Sequence, residues 1–163
     1  MEISLAFTFV FACFVSACGE EQAPQRQGAQ RSGMTEAVQH KWLTPQDEIE
    51  PEVWLIAHEA KSSASPQIGN ANDVKHSLAK ASATFNDTPR MIANRAVQLE
   101  DMLKSEGGGE SAIFLIDRLN GAIAPGRIES FGAAGQQYYN MRRAGLTGEQ
   151  ALDALSKRYG TRG

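Results

Sequence analysis

Cysteine is nearly absent from this chain of 163 residues, and both cysteines, Cys13 and Cys18, lie within the first eighteen positions. Everything after Cys18 can therefore form no internal disulfide and offers no thiol chemistry. Excess positive charge is also lacking, because 16 Lys and Arg stand against 19 Asp and Glu, a formal net charge of −3. Nucleic-acid binding needs concentrated Lys and Arg, so no nucleic-acid partner is predicted.

The common catalytic and metal-binding motifs are missing as well. No serine lies in a Gly-x-Ser-x-Gly elbow, and the run Gly107–Gly109 is not followed by the Lys and Ser or Thr of a phosphate-binding loop. His58-Glu59 starts like a zinc-hydrolase motif, but Ser62 stands where that motif requires its second His. We therefore predict no metal and no cofactor, and assign no catalytic residue.

The only long apolar run is residues 3–17, ISLAFTFVFACFVSA, which carries no charge and ends directly before Cys18. A helix of this length spans roughly 22 Å, less than the ~30 Å hydrocarbon core, so a permanent transmembrane helix is disfavoured. Val15-Ser16-Ala17-Cys18 resembles the lipobox of bacterial lipoproteins, in which an apolar residue and two small residues precede the lipidated cysteine. The resemblance covers residues 1–18. It implies that residues 1–17 are a signal peptide and that Cys18 is the lipidation site.

The same resemblance implies a location. Gly19 rather than Asp follows the cysteine, and in the lipoprotein sorting pattern this implies the outer membrane, with the soluble part facing the periplasm. Acyl chains such as palmitate would hold the protein at the membrane, because each buried methylene contributes about 0.8 kcal/mol. A secreted or soluble periplasmic protein is the alternative.

Residues 18–33 are predicted to comprise the lipidated cysteine and a flexible linker. The sequence GEEQAPQRQGAQRSG is rich in Gln, Gly and charge and holds almost no large apolar residue. Such a segment buries too little surface to offset its ordering entropy. A coil of this length has a root-mean-square span of roughly 20 Å, which lifts the following domain clear of the lipid headgroups.

Residues 34–163 are predicted to form one all-α domain, a compact bundle of five or six short helices behind the signal peptide and the tether. No segment alternates apolar and polar residues for long enough to indicate a strand. Thr-Pro pairs predict helix starts after Thr44 and Thr88, and Pro51 predicts another. The helix after Thr88 should turn one apolar stripe inward, formed by Ile92, Ala96, Leu99 and Leu103. Further helices are expected over residues 73–85 and 127–144, the latter closed by a left-handed Gly145, and from a capping box at Thr147 to Gly160.

Residues 111–120 are the most hydrophobic part of this domain. A short apolar run of this kind is compatible with a buried helix or with a core strand. A helix is favoured, because Leu119-Asn120-Gly121 is typical of a C-terminal helix stop.

One predicted helix carries more Tyr and Arg than a single face can bury. Residues 136–143 read QQYYNMRR, and both residue types are enriched in protein–protein interfaces. In the alternative interpretation one tyrosine packs inside, the other keeps its tip in water, and the arginines contact C-terminal carbonyls. The candidate interface residues are Gln137, Tyr138, Tyr139, Arg142 and Arg143.

These observations favour a non-enzymatic envelope lipoprotein that docks onto a protein partner, as a component of secretion, conjugation or cell-wall machinery. A tether would raise the effective concentration at which the domain meets its partner, so that an interface of modest affinity suffices. One alternative is a cell-wall hydrolase with a single catalytic Glu in a cleft, for which Glu129 is the candidate. Such an enzyme should show a buried carboxylate with a raised pKa in that cleft. The other is a carrier with an apolar ligand pocket of several hundred cubic ångströms between helices.

Overall fold

The computed structural model describes residues 41–62 and 70–161. The predicted signal peptide, Cys18 and the linker to residue 33 lie outside these residues. Within them the fold is all-α, as predicted, with six helices and no strand. None of the described helices is both long and apolar enough to cross a membrane. The helices are α1 Pro51–Ser62, α2 Ala71–Phe85, α3 Pro89–Ser105, α4 Ala112–Ala122, α5 Phe131–Arg143 and α6 Gly148–Tyr159.

Side-chain caps explain where most of these helices begin. In five of them the residue before the helix accepts a hydrogen bond from the backbone N–H three positions later; these residues are Asn70, Thr88, Ser111, Ser130 and Thr147. Such caps satisfy N–H groups that have no partner within the helix. Thr147 and Gln150 complete the predicted capping box, and Pro89 occupies the first turn of α3 as predicted.

The core is centred on α3, which packs against α1, α2, α4 and α5. Its predicted inner stripe is buried, and comprises Ile92, Ala96, Leu99 and Leu103. Phe85 of α2 meets Phe131 of α5 edge to face, with ring centroids 5.3 Å apart. The apolar run at residues 111–120 is a helix, which resolves the alternative between helix and strand, and α4 continues through Gly121 to Ala122.

Two predicted helix positions are wrong. After Thr44 the chain makes one turn and no helix, with the Asp47 N–H donating to the Thr44 carbonyl at 3.1 Å. Pro51 disfavours a helical conformation for the residue before it, and the segment between Thr44 and Pro51 is too short to nucleate a helix. The helix expected from residue 127 starts at Phe131 instead, because the Ser130 side chain caps it there.

Candidate functional site

The link between α3 and α4 contains a loop of three glycines and one glutamate, Gly107 to Glu110, called the glycine loop below. Gly107 adopts a left-handed φ of 83°. Its N–H donates to the Lys104 carbonyl at 3.0 Å, and the Gly108 N–H donates to the Leu103 carbonyl at 2.8 Å. This pair of bonds is typical of a left-handed glycine cap, which satisfies the last carbonyls of a helix. The cap turns the chain sharply toward the start of α4.

The glycine loop forms one wall of a groove of about 700 Å³, called the glycine-loop groove. Helices α1, α4 and α5 complete the lining with Glu59, Ile113, Phe114, Asp117 and Arg142. Phe114 is one of few large apolar side chains left exposed, at 44%. Three carboxylates, including Glu110 of the loop, line the groove against a single guanidinium. The groove therefore combines an apolar surface with an excess of negative charge.

Beside the groove lies Glu100, a carboxylate of α3 that is only 1% exposed. His58 Nε2 lies 2.8 Å from its Oε2, and Lys104 Nζ donates to its Oε1 at 2.6 Å. The Ser62 hydroxyl donates to Oε1 at 3.3 Å, and the Ala112 N–H donates to Oε2 at 3.3 Å. A single buried carboxylate thus connects α1, α3 and the first turn of α4.

The partners of Glu100 determine its charge state. Burial acts to raise the pKa of its carboxyl group, but the hydrogen bonds from His58 and Lys104 and their positive charge outweigh burial, so the pKa lies below its ordinary value of 4.5. Glu100 is therefore ionised, and hydrogen bonds to both of its oxygens let it stabilise the fold beside the groove.

The neighbouring carboxylate, Glu59 of α1, differs from Glu100 in its hydrogen bonding and in the direction of its pKa shift. It is 5% exposed and lines the groove. Its Oε2 is buried and has no hydrogen-bond partner in the part of the chain that the structure describes. Burial raises the pKa of Glu59 above its ordinary 4.5, although a hydrogen bond from Ser111 acts against this shift. Glu59 is thus a buried polar group with one acceptor oxygen that no described residue binds.

Glu110 of the glycine loop connects the groove to α5. Its Oε1 pairs with Arg142 Nη1 and accepts a hydrogen bond from the Tyr138 hydroxyl at 3.1 Å. Arg142 Nη1 lies 3.2 Å from the same hydroxyl. A Cβ at Gly148, the first residue of α6, would lie 2.9 Å from that hydroxyl, so glycine lets α6 approach this cluster closely.

A family model described as MoxZ matches residues 52–160. The chain belongs to the MoxZ family. No curated protein and no solved structure matches the chain. Every residue that lines the glycine-loop groove lies inside the matched region, so the groove is part of the MoxZ domain.

The structure separates the five predicted interface residues of this MoxZ domain into three groups. Tyr138 is 1% exposed, and Gln137 is half-buried and accepts a hydrogen bond from the Tyr159 hydroxyl at 3.0 Å. Arg142 lines the groove. Tyr139 and Arg143 lie near the start of the glycine loop, where both approach Glu106, and the Arg143 side chain is 60% exposed. The docking role of these residues stays a prediction.

Sequence reasoning did not single out the buried Glu59 and Glu100 as candidate acids and proposed Glu129 instead. Glu129 is exposed and does not line the groove. Glu59 follows buried Leu55 by four positions, so it lies on the same helix face, and this spacing was the available signal. In the described ranges no group of three or more His, Cys, Asp or Glu side chains is arranged to hold a metal ion.

Proposed function

We propose that this protein is a non-enzymatic accessory protein that docks onto a protein partner of the cell envelope. Membership in the MoxZ family supports accessory work in a methanol-oxidation-type system. The observation that carries the docking proposal is the glycine-loop groove with its exposed Phe114 and with Tyr139 and Arg143 near the start of the loop. Aromatic side chains and arginine are the residue types that dominate binding energy in protein interfaces.

The proposal includes a lipid anchor at Cys18 in the outer membrane, with the MoxZ domain facing the periplasm. The support is the lipobox resemblance of residues 15–18 and the polar linker that follows. Anchoring confines the domain to the membrane surface, so even an interface of modest affinity meets its partner at a high effective concentration.

A hydrolase is the second candidate, and Glu59 is the observation that favours it. A buried carboxylate of raised pKa beside a groove is the feature expected of a general acid. In this candidate Glu59, rather than Glu129, would carry the proton. If cell-wall fragments are released by the native protein and not by Glu59→Gln, the hydrolase replaces the docking proposal.

Site-specific photocrosslinking in the native host tests the docking proposal. A benzophenone side chain placed at position 139 of the full chain should capture a defined protein of the methanol-oxidation system, identified by mass spectrometry. Arg143→Glu should abolish this adduct, because the reversed charge repels the acidic groups that Arg143 would meet on its partner. Arg127→Glu is the matched control, since Arg127 is exposed and lies outside the groove. An adduct that survives Arg143→Glu unchanged contradicts the proposal.

A further inference from the structure

We propose that the glycine-loop groove binds a lysine side chain of the docking partner, whose ammonium group is held between Glu59 Oε2 and Glu110 Oε2. This inference rests on the proposed docking function and names the chemistry that the partner presents. The two oxygens come from different elements, α1 and the glycine loop, and both side chains line the same groove.

Glu59 supplies the first acceptor. The residue is nineteen-twentieths buried, at 5% exposure, and its Oε2 has no hydrogen-bond partner within the described residues. A buried acceptor without a partner destabilises a protein, so such atoms in a native fold call for a ligand or another explanation. Among the described residues no donor reaches Glu59 Oε2, and the nearby cations His58 and Lys104 are hydrogen-bonded to Glu100 instead.

Glu110 supplies the second acceptor. Its Oε1 is occupied by Arg142 and Tyr138, whereas its Oε2 is buried without a partner among the residues described. This free oxygen lies over Gly108, where an added Cβ would approach it to 2.8 Å. Glycine at this position therefore leaves room for the oxygen and for whatever binds it.

The chemistry of the groove selects an ammonium group. Each glutamate offers one free oxygen, whereas a guanidinium binds best to both oxygens of a single carboxylate. An ammonium has three donors that point in different directions and can serve two separate acceptors. Asp117 adds a further negative charge to the lining. Ile113 and the exposed Phe114 provide an apolar surface for the methylene stem of a lysine.

A peptide titration tests the inference. The probe is a pentapeptide, acetyl-Gly-Gly-Lys-Gly-Gly-amide, and its controls carry norleucine or arginine in place of lysine. The full chain is labelled with ¹⁵N in detergent micelles, and the amide signals of residues 107–111 are followed. The lysine peptide should shift these signals, and the norleucine peptide should not. Glu59→Gln should weaken binding about tenfold, the loss expected for one charge-assisted hydrogen bond.

Glu129→Gln is the matched control, because Glu129 is exposed and outside the groove, and its affinity for the lysine peptide should equal that of the native chain. Equal binding of the norleucine peptide, tighter binding of the arginine peptide, or unchanged binding by Glu59→Gln would overturn the inference. The crosslink from position 139 separates the two proposals. If that adduct forms while the lysine peptide fails to bind, the lysine site is wrong and docking stands; if the peptide binds and no adduct forms, docking is wrong.

Discussion

His58 Nε2 lies 2.8 Å from Glu100 Oε2, and this contact joins α1 to α3 beside the glycine-loop groove. The same carboxylate also accepts hydrogen bonds from Lys104 and from the first turn of α4. Two glutamates with opposite roles thus lie near each other. Both oxygens of Glu100 accept hydrogen bonds, whereas one buried oxygen of Glu59 has no partner within residues 41–62 and 70–161. The first stabilises the fold, and the second is available to a ligand.

Glu100→Gln should lower the free energy of unfolding by about 2 kcal/mol, because the neutral amide loses hydrogen bonds that involve charged partners. Urea denaturation at neutral pH measures the change. Asp153→Asn is the control: Asp153 also pairs with a lysine four residues away, but both side chains are exposed. Exposed pairs of this kind contribute about 0.5 kcal/mol or less. Equal losses for the two variants would contradict a stabilising role for Glu100.

Acid should destabilise the protein through Glu100. Its pKa in the folded protein is below the ordinary 4.5, so folding favours the ionised form. The resulting stability is fully present above the unfolded pKa and is lost as the pH falls below 4.5 through the folded pKa. Urea midpoints measured from neutral pH down to about pH 3 should fall less steeply for Glu100→Gln than for the native chain. If the urea midpoints of the two proteins fall in parallel with pH, carboxylates other than Glu100 cause the acid unfolding.

Glu59→Gln should act in the opposite direction and raise the free energy of unfolding at neutral pH by about 1 kcal/mol, since it removes a buried charge whose Oε2 has no partner among the described residues. The sign follows from the raised pKa. A carboxyl group that holds its proton more tightly when folded stabilises the protein at low pH and less as the pH rises through the folded pKa. Thermal unfolding of Glu59→Gln and of the native chain checks this prediction, and Glu129→Gln is the control, whose stability should equal that of the native chain. A loss of stability would show that Glu59 is needed by the fold.

Two adjacent glycines of the glycine loop should differ in their tolerance of alanine. A Cβ at Gly108 would lie 2.8 Å from Glu110 Oε2 and 3.0 Å from the Leu103 carbonyl, whereas a Cβ at Gly109 has no neighbour within 4 Å. Gly108→Ala should therefore cost about 2 kcal/mol through overpacking, and Gly109→Ala should change stability by less than about 0.5 kcal/mol. Urea denaturation of both variants decides. A similar cost for both would show that the close contacts at Gly108 relax freely.

Lipidation makes a prediction about the N-terminus. Mass spectrometry of the protein from its native host should find residues 1–17 removed and Cys18 carrying acyl chains. Cys18→Ser should abolish the modification, and Cys13→Ser should leave it unchanged, because only Cys18 follows two small residues. An intact Met1, or a free thiol at Cys18, would contradict the anchor.

Features that depend on neighbouring residues could be predicted well. The Thr88 and Thr147 caps, the left-handed Gly145 after α5 and the inner stripe of α3 are found where the sequence places them. Caps and helix periodicity involve residues within about four positions of one another, so the amino-acid order alone specifies them. The prediction of a helix after Thr44 was wrong, because the local start signal was present but the segment is too short to form a helix.

By itself, then, the amino-acid sequence determined the all-α class, the helix caps and the apolar faces, because these follow from short-range hydrogen bonding and from the pattern of apolar side chains. Only the tertiary structure decided which glutamates matter. His58 and Glu100 are 42 positions apart, and Tyr138 and Glu110 are 28 apart. Whether a carboxylate is buried, paired or left with a free oxygen depends on which distant side chains the packed helices bring within about 3 Å, and no local pattern contains that distance.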